Sequence, residues 1–139
     1  MKKISCIMGA CIISILMLSG CINTKLDINN LSRVDVEKAS SDSPDNNETI
    51  SEEEDLKVLR KAFKAINKEN AKIKMSREED VKVSLFFEYD KNNPEIIVEY
   101  LIWFESNGTA KIIEKDKNIY GKLDKENAQV IKDILLENK

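Results

Sequence analysis

Cys21 is the last thiol of the chain; Cys6 and Cys11 precede it and none follows. A thiolate is a strong nucleophile, so a cysteine set just after small residues is a site for covalent chemistry. The other reactive types are sparse. There is no histidine, which removes Ser-His and Cys-His nucleophilic pairs and the usual zinc ligand sets. Carboxylates could still work in pairs as acid and base, but no spacing among the 25 Asp and Glu singles out a pair, and a solvated face explains them. The run Glu52-Glu53-Glu54-Asp55 could be read as a metal site. Acids in a first helical turn complement the helix dipole instead, and consecutive helical residues point in different directions. With only four glycines there is no phosphate-cradling loop. These absences lead to the expectation of a chain that is not an enzyme and holds no metal or cofactor.

What surrounds Cys21 explains it. Lys2 and Lys3 precede an uncharged apolar stretch over residues 4–18, followed by Ser19 and Gly20. A basic start, a short apolar run and small residues at a cut site make a secretory signal. The run falls short of the roughly 20 residues needed to cross a bilayer, which disfavours a transmembrane anchor. Leu18-Ser19-Gly20-Cys21 resembles the lipobox of bacterial lipoproteins. That resemblance implies cleavage between Gly20 and Cys21, a diacylglyceryl group on Cys21, and attachment to the outer face of the cytoplasmic membrane. Two acyl chains hold a protein stably where one is marginal.

Losing residues 1–20 removes two lysines and no acid, so the net charge moves from −3 to −5. A mildly acidic chain is a poor nucleic-acid binder, because phosphate contacts need clustered Lys and Arg. It is also weakly repelled by anionic lipid, so acyl chains and not charge must hold it to a membrane. The expected partners are therefore the membrane, through Cys21, and a protein or ligand of the cell envelope.

The elements that would carry a site begin after a polar region. Residues 21–48 read as lipidated cysteine and flexible tether, with "SSDSPDNNE" its most polar part; such a stretch has an r.m.s. span of roughly 30 Å. Within it "LSRVDVEK" (residues 31–38) is either an edge strand or tether. A single domain is expected over residues 49–139. Ser51 and Glu54 predict a capping box, and Leu56, Leu59, Phe63 and Ile66 predict one apolar helical stripe. "DVKVSLFFEYD" alternates with period two; "IIVEYLIWF" is apolar on both faces apart from Glu99 and reads as a central strand. Asn107-Gly108 predicts a two-residue hairpin into "TAKIIEK", and "NIYGKL" follows as a short strand. Asp124 is the candidate N-cap of a closing helix carrying Ala128, Ile131, Ile134 and Leu135. The fold class expected is α+β: a small antiparallel sheet of three to four strands packed with two amphipathic helices. Asn47-Glu48-Thr49 and Asn107-Gly108-Thr109 match the glycosylation sequon by chance.

Aromatics favour strands and bury large areas, which gives Tyr100, Trp103 and Tyr120 a packing role. Trp and Tyr are also enriched in binding hot spots, and Lys111 and Lys115 crowd the same hairpin. These five residues form the candidate interaction surface.

From Tyr100 onward, "YLIWF…NGTAKII…NIYGKLDKENAQVIKDILLE", with "LKVLRKAFKAI" before it, resembles the YhfM-like domain of small Bacillus-type lipoproteins. The likeness spans residues 52–137. Residues 67–77 depart from it, being Lys-rich without Gly or Pro. The resemblance implies an α+β extracytoplasmic domain and carries over no catalytic residues. The leading expectation is thus a lipid-anchored, non-enzymatic domain that binds a protein or ligand in the envelope. The alternatives are an acid-dependent hydrolase of envelope polymer and a structural accessory subunit of a membrane complex. A fatty-acid analogue fed to cells should label the protein through Cys21, and Cys21→Ala should abolish the label; label retained by that variant would refute the anchor.

Overall fold

A computed structural model describes residues 25–39 and 47–137. Cys21, Gly20 and the signal lie outside these residues. After a 3-10 turn, Ile28–Asn30, come β1 (Leu31–Lys38), β2 (Asn47–Ile50), α1 (Glu53–Lys64), β3 (Asn67–Glu69), β4 (Val81–Phe87), β5 (Ile96–Phe104), β6 (Ala110–Glu114), β7 (Ile119–Leu123) and α2 (Lys125–Leu136). The strands form one seven-stranded sheet in the order β2-β1-β4-β5-β6-β7-β3, antiparallel at every pairing.

This corrects the expected sheet of three to four strands. The four strands with strong apolar patterns, β4 to β7, are there, and β5 is the middle of seven. The three additional strands are short or charged. β1 is no tether: Val34 and Val36 point inward, and the strand pairs with β2 on one side and β4 on the other. The fold therefore starts well before residue 49. β2 contributes one buried residue, Ile50.

The sheet has an inner face that carries both helices. Leu56, Leu59 and Phe63 of α1, and Ala128, Ile131 and Leu135 of α2, join one core with Val34, Val83, Leu85, Tyr100, Ile102 and Ile112 of the strands. Burying each such side chain contributes about 1.5–3 kcal/mol. Arg60 fastens α1 to the sheet, its Nη2 donating to the Leu31 carbonyl at 2.6 Å, beside a register shift in β1.

Local chemistry sets the ends. Asp124 caps α2 as expected, accepting from Asn127 N–H at 2.8 Å. The capping box does not form; Glu52 is the N-cap of α1, with no side-chain cap bond. The β5–β6 turn has three residues rather than two. Gly108 N–H donates to Glu105 C=O and Glu105 N–H to Thr109 C=O, and Gly108 alone takes positive φ, at 88°. This is a type I turn closed by a left-handed residue.

β3 explains why α1 stops earlier than its sequence pattern suggests. The chain leaves the helix at Ala65 and pairs Asn67, Lys68 and Glu69 with Lys122, Gly121 and Tyr120. Gly121 permits the approach, since a Cβ there would lie 2.5 Å from Ile66 Cγ2.

Residues 70–80 then cross the outer face of the sheet. Ile73 and Met75 pack on Trp103, Ile113 and Tyr120 in a second small core. Trp103 Nε1–H donates to the Arg77 carbonyl at 3.0 Å. Arg77 pairs with Asp80 at 2.7 Å, and Asp80 accepts from Phe104 N–H at 2.7 Å. Burial alone would raise the Asp80 carboxyl; the bonds from Arg77 and Phe104 outweigh it and hold the group below the usual carboxylate range.

Overpacking of this kind costs about 1–3 kcal/mol, so Gly121→Ala should destabilise the fold by that amount in urea unfolding. Adding Ile66→Ala should recover most of the loss, because it removes the colliding methyl. Purely additive losses would show that the Gly121–Ile66 contact is not the cause.

Candidate functional site

Tyr100, near the middle of the central strand, points to the inner face, and its cross-strand partner on β6 is Glu114. Alternation along β6 puts Ala110, Ile112 and Glu114 inward and Lys111 and Ile113 outward. Glu114 is thereby a carboxylate on the apolar side of the sheet, 4% exposed, and among the described residues it is the buried charged group. Lone buried carboxylates are costly. Here Lys68 Nζ stands 3.4 Å from one oxygen and Lys117 Nζ 3.1 Å from the other. Lys68 comes from β3, opposite Gly121, so the strand that the missing Cβ admits also delivers the ammonium.

Around this group the inner face is not filled. A cleft of about 570 Å³ opens between the end of α1, the edge of the sheet and the segment 25–29. Leu26, Ile28, Phe63, Ile66 and Phe87 supply apolar walls, and Lys25, Lys64 and Lys68 supply charge. Tyr100 also lines the cleft, its ring 5.8 Å from that of Phe63. Behind it lies a chamber of about 10 Å³ bounded by Tyr100, Glu114, Lys68, Ile112 and Gly121 among others. That is about the size of one water molecule, in polar company. Burial, with the Glu114 charge in addition, pushes the Tyr100 hydroxyl up to about 12. At neutral pH Tyr100 is therefore a proton-bearing donor.

The five residues of the expected interaction surface are not brought together. Tyr100 alone faces the cleft. Trp103 and Tyr120 lie on the outer face, 3% and 1% exposed beneath residues 70–80. Lys111 and Lys115 are on that side too, 3.7 Å from Glu105 and 2.7 Å from Glu99. Hydrogen bonding to Lys115 lowers the Glu99 carboxyl and raises the Lys115 ammonium. Sequence reasoning missed Glu114 and Lys68. The alternation Ala110, Ile112, Glu114 was the available signal for the first, since it continues the inward face. No local signal exists for Lys68, whose strand contains no apolar residue.

No family model matches the chain, and no curated protein matches it. Its structure is similar to the crystal structure of a thioesterase-like protein from Clostridium sporogenes, with a TM-score of 0.54 and 22% identity over 81% of this chain and 100% of that chain. The likeness is one of fold, a hot-dog-like arrangement of helix against antiparallel sheet. The expectation that the chain is not an enzyme is withdrawn, because the protein sharing this fold is thioesterase-like; the likeness itself is of fold alone. That expectation had rested on the missing histidine and thiol, and a carboxylate beside a tyrosine moves protons without either.

Proposed function

We propose that the chain is a lipid-anchored domain on the outer face of the cytoplasmic membrane, in the manner of YhfM-like lipoproteins, that binds a small envelope ligand in its inner-face cleft and hydrolyses an ester or thioester bond in it. The observation that carries this reading is the buried Glu114 at a water-sized chamber behind an apolar cleft. The lipobox sequence carries the anchor. Support for a hydrolase also comes from the architecture shared with a thioesterase-like protein.

The chemistry follows from the arrangement. Glu114 accepts a proton from water as the water oxygen bonds to the ligand's carbonyl carbon. Tyr100 donates a hydrogen bond to the oxygen on which negative charge develops, and stays protonated because its hydroxyl ionises only at about 12. The bond to the leaving oxygen or sulfur then breaks, and the proton passes from Glu114 to the leaving group. Lys68 and Lys117 hold the carboxylate in place. The alternative of two paired carboxylates acting on envelope polymer has no counterpart in this geometry, where one carboxylate stands between two lysines.

Acylated full-length protein in detergent micelles should hydrolyse members of a panel of p-nitrophenyl acyl esters and acyl thioesters. Loss of a general base costs at least about 100-fold, so Glu114→Gln should fall by that factor with an unchanged melting temperature. Equal rates in wild type and Glu114→Gln would overturn the catalytic assignment.

The Tyr100 hydroxyl gives a second check. Alkaline difference spectroscopy on the three tyrosines should show one ionising at about 12, and Tyr100→Phe should remove it. Because the folded state holds this proton more tightly than the unfolded chain, its contribution to stability is complete below about pH 10. It is lost as pH rises towards about 12. Titration of every tyrosine near 10 would show that the hydroxyl is solvated.

A further inference from the structure

The cleft wall contains residues 25–29, which follow the cysteine proposed to be lipidated after only three intervening residues. Lys25 is four residues beyond Cys21. A chain spans at most about 3.3–3.6 Å per residue, so the Lys25 end of the cleft wall stands no more than about 14 Å from Cys21. The headgroup layer is itself about 5–8 Å deep on each side of a bilayer. Subtracting that depth from about 14 Å, the leash holds Lys25 within about 10 Å of the lipid surface, whereas the long tether expected from residues 21–48 would set the domain much farther away.

Charge and apolarity are arranged to match that position. The chain is acidic overall, with a formal net charge of −3. Yet the cleft carries Lys25 and Lys64, with Lys68 paired to Glu114 behind them, against the carboxylate of Asp27, which accepts from Asn29 N–H at 3.0 Å. Lysines near an anionic leaflet are drawn to its surface potential. Behind them the walls are apolar, and the volume lies in the range of small-molecule sites.

We infer that the cleft opens onto the membrane and takes its ligand from it: an anionic amphiphile of the outer leaflet, with its apolar chain against Leu26, Phe63 and Phe87 and its head beside Lys25 and Lys64. This rests on the anchor and the cleft of the proposed function and adds the ligand's class and source.

The test uses acylated full-length protein in phosphatidylglycerol-containing vesicles doped with lysophosphatidylglycerol bearing a diazirine on its acyl chain. After irradiation the crosslinked peptides are mapped by mass spectrometry. Crosslinks should fall on the cleft residues and not on Ile97 or Val58, which with Tyr89 are the exposed large apolar side chains among the described residues. Inserting 20 Gly/Ser residues after residue 22 should lower the vesicle yield on the order of tenfold, because effective concentration falls as about the −3/2 power of leash length. In micelles the same insertion should change nothing. Paired Lys25→Glu and Lys64→Glu should lower the yield roughly tenfold, while a diazirine monoacylglycerol without charge keeps its wild-type yield.

Cleft crosslinks in micelles with no leash effect in vesicles would overturn the membrane-facing inference and leave the cleft reading standing. No cleft crosslinks in either setting would overturn both. A diazirine fatty acid incorporated on Cys21 itself that crosslinks to Phe63 or Phe87 would also overturn the inference, since the protein's own acyl chain would then be the occupant. Labelling of Cys21 is read separately, so a missing anchor is told apart from an empty cleft.

Discussion

A missing Cβ holds the functional half of this molecule together. Gly121 lets Ile66 lie against β7 where any side chain would collide with it. That contact turns the chain out of α1 and into β3, and β3 has nothing apolar of its own to anchor it. Three consequences follow from one close approach. Lys68 is set opposite Gly121 and over Glu114. The chamber behind Tyr100 gains a wall. The chain leaves β3 at the far edge of the sheet and must cross the outer face to reach β4, which covers Trp103 and Tyr120. Burying Glu114 is tolerable only because the same turn brings an ammonium to it.

What could be read from the sequence was whatever the local pattern alone determines. β5 to β7, the boundaries of α2 and its Asp124 cap all come from alternation, helical spacing and capping chemistry within one segment. The turn at Asn107-Gly108 was legible as a turn but not in its type, because φ at Asn107 depends on how the two strands are joined. β2 and β3 were not legible as sheet, and β1 was legible only as one of two alternatives, edge strand or tether. Their sequences "LSRVDVEK", "NETI" and "NKE" are charged or short, and they become strands by pairing with partners distant in the chain. Tertiary pairing overrides propensity most easily in such segments.

The candidate site shows the same division. Tyr100 was singled out as an aromatic on a central strand, and it does face the cleft. Trp103 carried the same signal, but the sheet's two-residue period puts it on the opposite face from Tyr100. An odd separation of three along one strand is enough to divide them. Glu114 was hidden for the complementary reason. A charged residue at the end of a strand reads as solvated, although the alternation Ala110, Ile112, Glu114 continues the inward row and the cross-strand partner Tyr100 places it there.

The two faces then have different tasks. On the outer face the aromatics are packed under residues 70–80, Trp103 spends its N–H on the Arg77 carbonyl, and Lys111 and Lys115 face carboxylates. The inner face concentrates what is left open: an unfilled cleft, a tyrosine kept protonated by burial, a paired carboxylate and a lysine rim. Residues 25–29 run along this open face. A chain whose purpose was to display an aromatic surface to a distant partner would gain from a long leash and an exposed Trp103. Among the described residues Trp103 is buried, and in the proposed anchoring through Cys21 the cleft residue Lys25 follows after only three intervening residues, which keeps the proposed site near the lipid.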